Sequence, residues 1–144
     1  MYDLHISIHG RGQDVTDGEA VELRGEKLST LDVPVAEMSH PLPVTFEQAV
    51  EALEQLGRPF VEPDGSFVWS SSAAEDESWL LDGVLYDRGG RLNHVDLKGT
   101  CPAERFDQLL AVLGWPAVEL IFQLSREAVY LDEATFRRWA LARS

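Results

Sequence analysis

Hydrophobic and polar residues alternate from the second residue of the chain. Tyr2, Leu4, Ile6 and Ile8 fall on one side, and Asp3, His5, Ser7 and His9 on the other. A period of two predicts a strand with one apolar and one polar face. Gly10 to Gly18 reads as a polar loop, and Val21–Leu23 and Leu28–Val35 as short strands.

The period then changes. Phe46, Ala49, Val50, Leu53 and Leu56 recur at helical spacing, Thr45 has N-cap chemistry with Gln48 three residues on, and Gly57 supplies a stop. Phe60–Glu62 and Ser66–Trp69 flank Pro63-Asp64-Gly65, where proline pre-sets one turn dihedral and glycine accepts positive φ, which predicts a hairpin. A second hairpin, Trp79–Asp87 with Arg91–Lys98, turns about Gly89-Gly90. Between the two hairpins, Ser70–Ser78 is serine, alanine and acid, the composition of an exposed loop.

Cys101-Pro102-Ala103-Glu104 reads as the start of a second helix, with proline in the first helical position and Glu104 near the positive end of the dipole. Phe106, Leu109, Leu110 and Leu113 supply its buried stripe. Val118–Leu124 and Ala128–Leu131 read as strands, and Asp132 caps a last helix carrying Phe136 and Trp139. Strands joined by tight hairpins pair antiparallel, and amphipathic helices need an apolar surface to cover. The expected fold is therefore α+β: a two-layer sandwich whose mostly antiparallel sheet is built from hairpins and covered by about three helices. Residues 1–144 are expected to form one domain, with the exposed loop at about residues 70–78.

Composition supports a folded chain. With 44% hydrophobic residues and four tryptophans, 144 residues can offset their ordering entropy by burial. The single cysteine, Cys101, excludes an internal disulfide and suits a reducing compartment. The first residues lack the basic start and apolar run of a secretory signal, and no window has the roughly 20 apolar residues of a membrane span, so a cytoplasmic location is expected.

Charge changes the picture more. The net charge is −13, and −11 of it falls between Leu28 and Asp87, where twelve acids face one base, Arg58. Such a field repels nucleic-acid phosphates and anionic lipid, and it attracts a basic protein surface or divalent cations. Glu47, Glu51 and Glu54 stand at i, i+4 and i+7 and make one carboxylate stripe with no cation spaced to neutralise it. Like charges so placed cost roughly 0.2–0.5 kcal/mol per pair. Together with the loop acids Glu75, Asp76 and Glu77 they are the candidate binding residues. The function they point to is a non-enzymatic protein-binding or regulatory module, such as a toxin-neutralising protein, docking a basic partner. The bland alternative is a solvated helix face that keeps the protein soluble.

Cys101 carries the enzymatic alternative, because a thiol at a helix N-terminus sees dipole and N–H groups that lower its pKa. A base would also be needed. His94 and Asp96 share a strand face, but the extended chain from His94 to Cys101 spans about 23 Å, so nothing local brings them together. His5 and His9 lie some 13 Å apart on a strand, beyond the roughly 4 Å span that allows two ligands to share a zinc. Gly10-Arg11-Gly12 lacks a third glycine and a following helix, and Asp14, Asp17 and Glu22 miss the calcium-loop pattern. No cofactor or metal is expected, and the oligomeric state stays open. A purely structural subunit would instead expose an apolar patch, with Trp115, Phe122 and Trp139 as its natural members.

Overall fold

The computed structural model describes residues 1–38 and 40–142. It is a mixed α+β fold: nine antiparallel strands in one sheet and three α-helices. In chain order these are β1 (Tyr2–Gly10), β2 (Thr16–Leu23), β3 (Glu26–Asp32), α1 (Phe46–Glu54), β4 (Phe60–Val61), β5 (Ser66–Ser70), β6 (Leu80–Arg88), β7 (Arg91–Cys101), α2 (Ala103–Val112), β8 (Leu120–Leu124), β9 (Val129–Asp132) and α3 (Glu133–Ala142). A short 3-10 turn, Val35–Glu37, precedes α1.

Across the sheet the order is β2-β3-β9-β8-β1-β7-β6-β5-β4. β1 is central: Ile6 lies opposite Leu97 of β7 on one side and Leu124 of β8 on the other. Its predicted alternation is realised. Tyr2, Leu4, Ile6 and Ile8 join the main core with Phe106, Leu109 and Leu110 of α2 and Phe136 and Trp139 of α3. Tyr2 meets both Phe106 and Phe136 edge-on, at ring-centroid distances of 5.5 and 6.5 Å. His5, Ser7 and His9 point to the other side of the sheet. At one end of that side a smaller cluster forms from Val15, Leu31, Val33, Ile121 and Tyr130.

Local signals place most elements correctly. The hairpin of β6 and β7 turns on Gly89 and Gly90, both at positive φ (62° and 86°), a conformation in which any Cβ would be strained. Thr45 caps α1 as expected: its hydroxyl accepts from the Gln48 amide at 3.0 Å, and the Gln48 side chain accepts from the Thr45 amide at 2.9 Å.

Several boundaries shift by one or two residues from the sequence reading, and three differences have a clear physical cause. β2 begins at Thr16, inside the stretch read as loop, because it is an edge strand whose first five residues are all exposed and so lack a buried face to show as alternation. Leu28–Val35 stops as a strand at Asp32, two residues before Pro34, which has no N–H for a ladder. Cys101 is the last residue of β7, opposite Tyr2, and not the first of a helix. Pro102 is the N-cap at ψ 154°, and its ring disfavours helical backbone at the residue before it.

The apolar patch expected of a structural subunit is also absent at its named members. Phe122 and Trp139 are buried. Trp115 packs against the core, donates its indole N–H to Glu133 at 2.6 Å and lies under the Arg137 guanidinium at 5.4 Å.

Candidate binding surface

The candidate acids fall into three environments. Glu47, Glu51 and Glu54 lie on the outer side of α1, whose inner side buries Ala49 and Leu53. All three are exposed, and none meets a cation among the described residues. The loop acids divide. Glu75 is held by its own fold: the Trp79 indole donates to it at 3.0 Å, the Ser72 amide at 2.7 Å and Arg105 at 3.2 Å. The Trp79 hydrogen bond, then that from Ser72, keep its carboxyl below the usual range. Asp76 and Glu77 are exposed. The hollow at this loop is walled by Pro102, Glu104 and Arg105 at the start of α2, and by nothing from α1.

Cys101 is fully buried, and burial pushes its thiol up to about 12. The helix-terminus argument for a reactive thiolate depended on an exposed sulfur at the first turn. A dry strand end reverses its sign.

A different cluster, scattered in sequence, assembles on the sheet side away from the helices. The sheet register brings β6, β7, β1 and β8 side by side, so that Tyr86 lies opposite His94, Ser7 opposite Asp96 and Ser7 opposite Gln123. The imidazoles of His9 and His94 stack at 5.1 Å, the Tyr86 ring stacks on His94 at 4.3 Å, and Tyr130 meets His9 edge-on at 5.6 Å. The Ser7 hydroxyl donates a very short hydrogen bond to Asp96, and His94 Nε2 stands 3.7 Å from the same carboxylate. The negative charge of Asp96, then burial, raise the Tyr86 phenol. Burial, then the neighbouring His94, lower His9 to about 4, and His94 is itself lowered by burial. Nε2 of His9 is buried with no hydrogen-bond partner.

Ser7 is buried, and its hydroxyl donates to Asp96 and to no histidine among the described residues, so the serine–histidine pair of nucleophilic catalysis is not formed by these side chains. The shared strand face of His94 and Asp96 was legible from a period of two. Ser7, His9 and Tyr86 were not, since only the pairing of distant strands brings them in.

Beside this cluster the same sheet side carries an apolar groove of about 350 Å3. Val68 of β5, Val84 of β6 and Phe60 of β4 line it, and Phe60 is 68% exposed. Glu62, Asp82, Asp96 and Lys98 stand around it.

No family model, no curated protein and no solved structure matches this chain. No helix among the described residues is long and apolar enough to cross a membrane.

Proposed function

We propose that this protein is a non-enzymatic binding module that docks a basic protein surface in the cytoplasm through Glu47, Glu51 and Glu54 of α1. The three helices are taken as the second layer of a two-layer sandwich, with α1 presenting its carboxylates outward. Asp76 and Glu77 offer a second, smaller acidic contact at the start of α2.

One observation carries it. Glu75 is paired to Arg105, and Asp107 and Glu133 are paired to Arg137, whereas none of the three α1 carboxylates has an ion pair among the described residues. Three like charges on one exposed face cost helix stability, and a cationic partner would relieve that cost. Nucleic acid would meet the same field as repulsion. The buried, high-pKa thiol of Cys101 weighs against the enzymatic alternative.

The test is affinity capture from native lysate at low salt with three baits: the natural chain, the E47K/E51K/E54K variant and a D17K/E19K/E22K control that moves the same charge change to the exposed strand β2. A protein retained by the natural chain and the control, and lost from the α1 variant, is the expected result. The same proteins on all three baits would overturn the proposal.

A further inference from the structure

The groove lined by Phe60, Val68 and Val84 lies on the side of the sheet away from α1, so a ligand there is independent of any partner docked on the α1 carboxylates. Soluble domains seldom leave large apolar side chains next to one another in water, yet Phe60 is 68% and Val68 40% exposed, and they stand opposite one another on β4 and β5. The volume, about 350 Å3, is that of a small-molecule site.

The charges around it select the ligand. Glu62, Asp82 and Asp96 are three carboxylates against one ammonium, Lys98, with the His5 imidazole also in the lining and accepting from Arg126 at 3.2 Å. Lys98 lies directly across from Asp82 on the neighbouring strand, but the two are not close enough to form an ion pair. Asp96 is one step along the same strand face, diagonal to Asp82, a relation that separates Cα atoms by roughly 7–8 Å. That spacing suits one ammonium group seated between two acceptors. It does not suit a bare metal ion, whose oxygen ligands must converge to about 2.0–2.6 Å. Asp96 is also held in place before any ligand arrives, by the Ser7 hydroxyl, so little ordering entropy is lost at that acceptor on binding. Beyond the carboxylates, the two valines and the Phe60 ring offer a surface for an apolar body, and an aromatic face also attracts a cation.

We propose that this groove binds an organic ammonium ion carrying an apolar body, with the ammonium between Asp82 and Asp96 and the body on Phe60, Val68 and Val84. Glu62 adds negative potential at the rim, and Lys98 limits affinity by repulsion. An anionic amphiphile of the same shape would meet three carboxylates in the groove and is excluded.

The experiment is a titration of the full chain at neutral pH and low salt with 2-phenylethylammonium, followed by amide NMR, with 3-phenylpropanoate as the anionic isostere. Saturable shifts at the amides of Val68, Asp82 and Val84 are expected from the ammonium and not from the carboxylate. Asp82→Asn and Phe60→Ala are each expected to weaken binding about tenfold, and Lys98→Met to tighten it. All three side chains are exposed, so the variants keep the fold. Absence of saturable shifts with the ammonium, an equal response to the carboxylate, or unchanged binding in Asp82→Asn would each overturn the proposal.

Discussion

His9 and His94 stack face to face, 5.1 Å apart and within 13° of parallel, on strands in the middle of the sheet. Burial penalises a proton on either ring, and the neighbouring His94 penalises one on His9 further. Tyr86 of β6 and Tyr130 of β9 close the stack, and Asp96 of β7 is the anion facing it.

Stability should fall on the acid side for this reason. His9 has a pKa near 6.5 in the unfolded chain and about 4 in the fold, so between those values the unfolded state binds more protons. The contribution is complete above about pH 6.5 and lost as pH falls toward 4. Its size is on the order of 3 kcal/mol. Urea unfolding at pH 7.5 and pH 4.5 should show a loss in the natural chain that shrinks in His9→Phe, which keeps the ring and cannot take a proton. An equal loss in both would place the acid sensitivity elsewhere.

The Phe67 ring lies flat against Gly83 on the adjacent strand, where an added Cβ would stand 2.1 Å from a ring carbon. Both are buried on the helix side, so neither can move into water. Gly83→Ala should therefore destabilise by about 1–3 kcal/mol through overpacking, read as a lower urea midpoint. Phe67→Leu in the same background should recover part of the loss. If the two changes are simply additive, the clash is not the cause.

Removing the cap of α1 gives a smaller effect. Thr45→Ala deletes the acceptor for the Gln48 amide and should cost about 1 kcal/mol, whereas Thr45→Ser should be close to neutral. Thermal melts of the pair distinguish a cap from a mere packing contact, since serine lacks the methyl group but keeps the oxygen.

Cys101 should be silent to thiol reagents in the folded protein. Its sulfur is buried and its pKa is pushed up to about 12, so neither access nor thiolate is available at neutral pH. Labelling followed by mass spectrometry should show modification only in denaturant. Fast labelling of the native chain would revive a reactive role for this residue.

What the sequence disclosed and what it hid divide along sequence distance. The alternation of β1, the turn at Gly89-Gly90 and the capping box at Thr45 are encoded within a few residues, and each is present in the fold. The first five residues of β2 escaped, because an edge strand with polar residues on both sides has no periodic signature, while Val21–Leu23 was read as strand. The Cys101-Pro102 boundary was misplaced by one residue because proline is commonest at the first helical position, whereas here it stands one residue earlier, as the N-cap. The ring stack and the groove depend on pairings such as Ser7 with Asp96, 89 residues apart, for which neither segment carries a local mark. Glu75 looked like its acidic neighbours, and only the positions of Trp79 and Arg105 show that its charge is used internally.

The placement of β1 has a consequence for synthesis. It is made before either of its sheet neighbours, and β8, the later of the two, follows α2 in the chain. At roughly 5–20 residues per second, an emerging β1 would wait several seconds with four apolar side chains and two unpaired edges in the open. A transplant of β1 to a position after α3 by circular permutation should shorten that exposure without altering the finished sheet.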